Sequence, residues 1–275
     1  MPELPEAETI VRDLRGRVVG RTILSVDVVH PDILAPGTAP DTLADALRRA
    51  RIAAVERRGK NVVLTLEPER IVVVNLGMTG RLVTSDAPAA NRLGHIAVRF
   101  ELDDGHALLY DDVRRFGRIS LHSPASWRER QAASLGVEPL SDDFTGDRLH
   151  ELTSASRSPI RNWLLDQRRI AGIGNIYANE ALYRAGIHPA RPAHSLDRHD
   201  AARLRAALRA VLREAIDARG TTLRDYRDSR GEVGRFEPRL RVYGREGEPC
   251  PDCGGTIERI VIGNRSAFLC PMCQT

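Results

Sequence analysis

The sequence predicts an α+β multidomain chain, strand-rich in its first half, helical in its second and closed by a cysteine module. Three observations carry that expectation. Six short β-branched runs separated by turn residues precede residue 123, apolar residues at helical spacing dominate 147–219, and all four cysteines lie beyond residue 249. At 275 residues the chain has room for two domains. A hydrophobic content of 42% with 28% charged residues excludes disordered, collagenous and disulfide-rich classes. There is no apolar run of about 18 residues, so no membrane span is expected. The opening Met1-Pro2-Glu3-Leu4-Pro5-Glu6 has no basic or apolar stretch of the kind a secretory signal needs.

Residues 3–16 read as a helix, because Leu4, Ala7, Val11 and Leu14 share one face. Pro2 and Pro5 are tolerated there because they lie at or before the first turn. The runs 22–29, 62–66, 71–76, 95–102, 107–110 and 118–122 read as strands, separated by turn residues such as Glu67-Pro68 and Asp103-Asp104-Gly105. Many short strands imply an antiparallel sandwich or a barrel-like sheet. Residues 41–50 form one further helix. The stretch from Pro124 to about 147 is rich in Ser, Asp and Pro and reads as a linker. In 201–219, Leu204, Leu208, Val211, Leu212 and Ile216 make one apolar face. Residues 220–248, glycine-containing and poor in apolar residues, read as a mobile loop.

The net charge of +4 is unevenly spread. Residues 1–150 hold 20 basic and 22 acidic side chains, and residues 151–275 hold 21 and 15. That asymmetry suits a polyanionic partner, or simply a solvated basic face. Of the 41 basic residues, Lys60 is the only lysine. Arginine keeps its proton, whereas lysine can be tuned to release it, so Lys60 is a candidate for proton transfer.

Cys250-x2-Cys253 and Cys270-x2-Cys273, 16 residues apart, have the spacing of two zinc knuckles. Four thiolates leave no position open for water, so such a zinc is structural. Residues 257–269 between them read as a hairpin with Gly263-Asn264 at its turn. Arg265 and Ser266 beside that turn are placed to meet a phosphate. Gly172-Ile173-Gly174-Asn175 lacks the third glycine and the preceding strand of a dinucleotide loop. It reads as a tight turn between helices, with Asn175 capping the second and its amides open to phosphate or to nothing. Arg114 and Phe116 at a turn have the chemistry to fill a gap in a base stack, although Phe116 and Met78 would equally suit a core. Removal of Met1 would leave Pro2 as a secondary amine able to attack a sugar C1′ and form an iminium, with Glu3 and Glu6 within one helical turn as acid or base.

Together these pieces resemble the formamidopyrimidine-DNA glycosylase family over the whole chain. The resemblance rests on Met1 to Glu6, Arg58-Gly59-Lys60, Leu76-Gly77-Met78-Thr79-Gly80, 112–117, Leu165-Asp166-Gln167, 172–180 and the four cysteines with Arg265. Leu4 resembles the purine-lesion branch, since the endonuclease VIII branch usually has Gly there. The resemblance implies an N-terminal catalytic β-sandwich with flanking helices over 1–123 and a linker over 124–146. A helix–two-turn–helix domain with a lesion-capping loop over 147–235 and a zinc finger over 236–275 would follow. It implies a bifunctional glycosylase and abasic-site lyase that flips and removes oxidised purines, then nicks the strand by β,δ-elimination.

In that reading Pro2 is the nucleophile, Glu3 protonates the leaving sugar or base, and Glu6 assists. Lys60 contacts phosphate and takes part in β-elimination, and Arg265 binds phosphates and assists δ-elimination. His95, Arg114, Arg157, Arg161 and Asn175 contact DNA, while Met78, Arg114 and Phe116 occupy the space of the flipped base. Cys250, Cys253, Cys270 and Cys273 hold one structural zinc. The implied partner is damaged double-stranded DNA, with no membrane, and the implied form is a monomer in the bacterial cytoplasm, associated with the nucleoid. The chain departs from the family at Arg157 and Arg161, where Lys is common, at Asn75, where His is usual, and at Ala7, where Val is usual. An oxidised-pyrimidine glycosylase and a non-catalytic DNA-binding zinc protein are the two alternatives. The second would have no use for a free Pro2 amine or a lone Lys60.

Overall fold

A computed structural model describes residues 2–87, 90–223 and 226–275. Met1, whose removal would free the Pro2 amine, lies outside the described residues, as do 224 and 225 of the expected capping loop. The chain forms two compact units, Met1–Ala132 with Ile216–Glu237, and Ala133–Ala215 with Pro238–Thr275. Among the described residues no helix is long and apolar enough to cross a membrane.

The first unit opens with helix α1 (Leu4–Val18). Its face of Leu4, Ala7, Ile10, Val11 and Leu14 is wholly buried, and each large aliphatic side chain there contributes about 1.5–3 kcal/mol. Strand β1 (Ile23–Val28), helix α2 (Pro40–Leu47) and strands β2 (Arg51–Arg58), β3 (Asn61–Glu67) and β4 (Arg70–Asn75) follow. Then come β5 (Arg81–Thr84), β6 (Ile96–Leu102), β7 (Ala107–Asp111) and β8 (Arg118–His122). They pair into two four-stranded sheets, ordered β1-β6-β7-β5 and β2-β3-β4-β8, antiparallel throughout. One apolar core joins α1, both sheets and Tyr226. This is the sandwich alternative of the sequence reading.

Two strands escaped that reading. β2 carries four charged residues and buries only Ile52 and Val55, so its apolar signal is thin. β5 is four residues long. The stretch read as a linker begins with helix α3 (Pro124–Ser134), for which Ser123 supplies the cap by accepting the Ser126 N–H at 3.2 Å, with Pro124 at the first position.

The second unit holds α4 (Gly146–Ser154), α5 (Ile160–Leu165), α6 (Asn175–Ala185) and most of α7 (Arg198–Asp217). The cysteine module ends it, with the hairpin β9 (Glu258–Ile262) and β10 (Arg265–Leu269). Ile262 pairs with Arg265, and Gly263 and Asn264 both have positive φ, at 54° and 63°. That is the two-residue turn the Gly-Asn pair predicts. The module is fastened by Glu180 of α6, whose buried carboxylate accepts the N–H groups of Arg241, Val242 and Tyr243 at 2.9, 3.0 and 2.9 Å.

Candidate active site and nucleic-acid interface

In the first unit the N-terminus of α1 gathers three of the expected residues. Pro2 is buried, Glu3 is 3% exposed and Glu6 is 2% exposed. Glu3 caps the helix and Glu6 is its third residue, so their side chains fall beside the free N–H groups that favour negative charge there. The Glu3 N–H donates to Glu6 Oε2 at 2.7 Å. The other oxygen, Oε1, accepts the N–H of Thr221 at 2.8 Å, a residue 215 positions further along. Both Glu6 oxygens are therefore held. Tyr226 packs beside them, and burial, with the Glu6 charge, pushes its phenol well above its ordinary pKa.

Lys60 sits half-buried at the tip of the β2–β3 hairpin. Arg58 pairs with Asn61, so Gly59-Lys60 is a two-residue loop, and Gly59 takes the positive φ of 58° that its first position requires. The hairpin is tied to α1 by Arg57 on Glu8 at 3.2 Å and by Arg15 on the Val55 carbonyl at 2.8 Å. Asn75, where the family usually has His, donates to Asn61 Oδ1 at 2.9 Å and accepts the Gly77 N–H at 3.1 Å. It thus joins the tip of the hairpin to the loop that carries Met78.

Met78, Arg114 and Phe116 come together on adjoining loops. A Cβ on Gly77 would lie 2.4 Å from the Gly117 nitrogen, so the two loops touch backbone to backbone. Asp112, which opens the 112–117 motif and is buried, builds the second loop. It accepts from Thr79 Oγ1 at 2.5 Å, the Gly117 N–H at 2.9 Å and the Arg114 N–H at 3.2 Å. The outcome is an exposed apolar tip, with Phe116 54% exposed beside Val113 and Met78. The Arg114 guanidinium lies over the Phe116 ring at 4.6 Å. His95 is exposed, and its N–H donates to Asp111 Oδ1 at 2.7 Å.

In the second unit Arg157 and Arg265 are exposed and Asn175 is half-buried. Asn175 does not cap α6, since the cap is Gly174 and Asn175 is the first helical residue. Its side chain instead accepts from Arg161 at 2.6 Å and donates to the Ser266 carbonyl at 3.1 Å. Gln167 shapes the turn ahead of it, donating to the Ile173 carbonyl at 2.7 Å and accepting the Gly172 N–H at 2.8 Å.

Arg161 corrects the sequence reading. It is 0% exposed and offers no surface to a phosphate. Its guanidinium donates to Asn162 Oδ1, Asn175 Oδ1 and the carbonyls of Ile262 and Ser266. Burial, and then the nearby Arg265 charge, lower its pKa. The planar fork of Arg reaches several acceptors at once, which a Lys ammonium could not reproduce in this geometry.

The four cysteine sulfurs lie within 4.8 Å of one another. Cys250 and Cys273 are 3.8 Å apart and Cys253 and Cys270 are 3.5 Å apart. Tetrahedral Zn–S bonds of about 2.3 Å put the sulfurs about 3.8 Å apart, so the donor set fits zinc. Tyr183 of α6 reaches Cys250 Sγ at 3.1 Å and Asp252 at 2.7 Å, a polar shell of the kind that orients ligands.

Residues 1–119 match the family model of the formamidopyrimidine-DNA glycosylase N-terminal domain, and residues 135–227 match that of its H2TH domain. The chain belongs to the formamidopyrimidine-DNA glycosylase family. Residues 247–275 match the zinc finger found in FPG and IleRS, and with the cysteine cluster this gives the protein one structural zinc site. The formamidopyrimidine-DNA glycosylase of Chloroflexus aggregans is 45% identical over 275 residues, covering 100% of this chain and 98% of that protein. That of Paracoccus denitrificans is 42% identical, with both chains fully covered. A Lactococcus lactis FPG mutant, solved with Fapy-dG-containing DNA, superposes at a TM-score of 0.90 with 33% identity and full coverage of both chains. The MutM (FPG) protein of Thermus thermophilus superposes at 0.87 with 41% identity, covering 99% of this chain and 98% of that one. As a formamidopyrimidine-DNA glycosylase family member, the chain is an enzyme of the DNA glycosylase and abasic-site lyase kind, acting in repair of damaged bases.

Proposed function

We propose that this enzyme removes oxidised purines, 8-oxoguanine and ring-opened formamidopyrimidines, from duplex DNA and then nicks the strand. The observation that carries the proposal is the buried start of α1, where Pro2 precedes two acids that are themselves out of solvent. The Lactococcus lactis complexes with Fapy-dG-containing and abasic-site DNA support it.

Extruding the lesion costs a few kcal/mol. Phe116, Arg114 and Met78 offset that cost by filling the vacated stack. The Pro2 nitrogen, free once Met1 is removed, attacks C1′ and the bond from C1′ to the base breaks. The base leaves with that electron pair and gains a proton, and Glu3 protonates the departing sugar oxygen or base while Glu6 assists. The proline nitrogen gives up its proton, the sugar ring opens and an iminium forms. Loss of a C2′ proton then expels the 3′ phosphate, and a second elimination expels the 5′ phosphate. Lys60 contacts phosphate and takes part in the first elimination, and Arg265 binds phosphate and assists the second. His95, Arg157 and Asn175 hold the DNA. When bound, the zinc supplies a fixed clasp for the hairpin that carries Arg265. The enzyme acts as a monomer on nucleoid DNA.

Borohydride reduction of the protein mixed with a duplex holding 8-oxoguanine opposite cytosine tests this. A covalent adduct, lost in Pro2→Gly, is the expected result. An adduct with a thymine glycol duplex but not with 8-oxoguanine would replace the purine assignment by an oxidised-pyrimidine one. No adduct with any duplex, an abasic one included, from protein shown by mass to lack Met1, would overturn the chemistry.

A further inference from the structure

We propose that Asp13, Arg219 and Asp228 form a strut that holds the segment after α7 onto α1 and so keeps Thr221 on Glu6. They would be positioning residues for base removal. The inference rests on the function proposed above, although its first test does not.

Asp13 and Glu6 are seven residues apart on α1, two turns along one face. Both grip the same later segment. Glu6 takes the Thr221 N–H, and Asp13 takes Arg219 Nη2 at 2.5 Å and Ser229 Oγ at 2.7 Å. Arg219 also donates from Nε to Asp228 Oδ2 at 2.7 Å. The remaining Asp228 oxygen accepts the N–H groups of Arg230 and Glu232, both at 2.9 Å. The side chains of Asp13 and Asp228 are 3% and 0% exposed. Two buried carboxylates thus share one guanidinium, and further donors complete their shells, as buried charge requires.

The backbone turns at Arg219. Its φ is +62°, a left-handed conformation uncommon for a residue with a Cβ and found chiefly just past helix ends, as here after α7. The next residue, Gly220, is also left-handed at φ +85°. This pair of turns brings Thr221 to Glu6, and the ion triad holds the first of them in place. Tyr226 of this segment joins the apolar core and Phe236 is fully buried, and the triad seats the polar residues between them. Asp228 accepts from its own loop while gripping Arg219, which orders residues 226–236 from within.

The test uses Arg219→Gly, which keeps the left-handed backbone available while removing the cation, and Arg219→Lys, which keeps the charge. Amide hydrogen exchange of residues 226–236 in the DNA-free protein reads the strut directly. Protection is expected to fall in Arg219→Gly and in Asp228→Asn and to return in Arg219→Lys. Unchanged protection in both loss variants would overturn the strut, whatever reaction the enzyme catalyses.

Single-turnover rates read its consequence. Base release from an 8-oxoguanine duplex is expected to fall about tenfold in Arg219→Gly. Cleavage of a preformed abasic duplex, which has no base to meet the segment, is expected to change less than about twofold. Equal loss on both substrates would overturn the positioning role. A wild-type enzyme that releases no purine would count against the proposed function, while the exchange result would still decide the strut.

Discussion

Arg161 donates to the Ser266 carbonyl at 2.8 Å from a guanidinium that is fully buried. The same side chain holds Asn175 Oδ1 and the Ile262 carbonyl, so it braces both ends of the β9–β10 turn against the start of α6. Arg265 leaves the hairpin from that braced turn, into solvent. Arg161→Lys keeps the charge but loses most of these bonds, at about 1–3 kcal/mol. Arg157→Lys, at an exposed site, should cost almost nothing. The comparison of thermal midpoints and of duplex affinity for the two variants checks this. Equal effects of the two would mean that Arg161 acts as a simple cation and not as a brace.

Gly220 lies against Glu6. An alanine Cβ there would sit 2.8 Å from Glu6 Oε1 and 3.2 Å from the Tyr226 ring, at a φ of +85° that alanine resists. Glu6 cannot swing aside without breaking the bonds from Glu3 and Thr221. Gly220→Ala should therefore reduce single-turnover base release by more than about tenfold, with a stability loss of about 1–3 kcal/mol from backbone strain. A wild-type rate in this variant would show that the Glu6–Thr221 bond is dispensable.

Much of the frame was legible because burial and spacing coincide in it. Leu4, Ala7, Val11 and Leu14 repeat at helical intervals and are all wholly buried. The cysteine spacing and Gly263-Asn264 state a local geometry that needs no distant partner. What escaped is polar and held over long range. Asp13, Asp112 and Glu180 are buried acids with a partner far along the chain, Asp228 is buried among donors in and beside its own loop, and single-sequence patterns read such residues as surface. The 220–248 stretch looked mobile for the same reason. Its described residues are seated by Asp228, Phe236, Leu240 and Val242. The clue that was available was its glycines, four of which, Gly220, Gly231, Gly244 and Gly247, take left-handed turns.

The zinc site should be worth more to the hairpin than to the rest of its unit. Cys250 and Cys270 are buried with Tyr183, Val242 and Ile257, a core too small to hold residues 249–275 alone. Stripping the metal with a strong chelator should release one zinc per chain and abolish exchange protection in β9 and β10, while α4 and α7 stay protected. Cys273→Ser should behave like the stripped protein. Intact hairpin protection after complete zinc release would show that the thiol cluster is not what fastens the hairpin.

Asp200 makes the acid limit of the second unit predictable. Burial opposes its charge, but the bonds from Arg203 and Arg191, each 2.5 Å, outweigh it, and its carboxyl sits below the usual value of 3.8. A depressed acid contributes stability above its unfolded pKa and loses it as pH falls through the folded one. The Arg191 carbonyl also accepts the Ile160 N–H at 2.8 Å, so this ion cluster links the start of α7 to the start of α5, which carries Arg161. Asp200→Asn should cost about 1–2 kcal/mol at pH 7, discounted for the partial exposure of both arginines. The difference from wild type should hold from pH 8 to about pH 5 and shrink below about pH 4. Thermal midpoints of both proteins across that range decide it, and a gap as wide at pH 3 as at pH 7 would mean that the Asp200 charge is not its source.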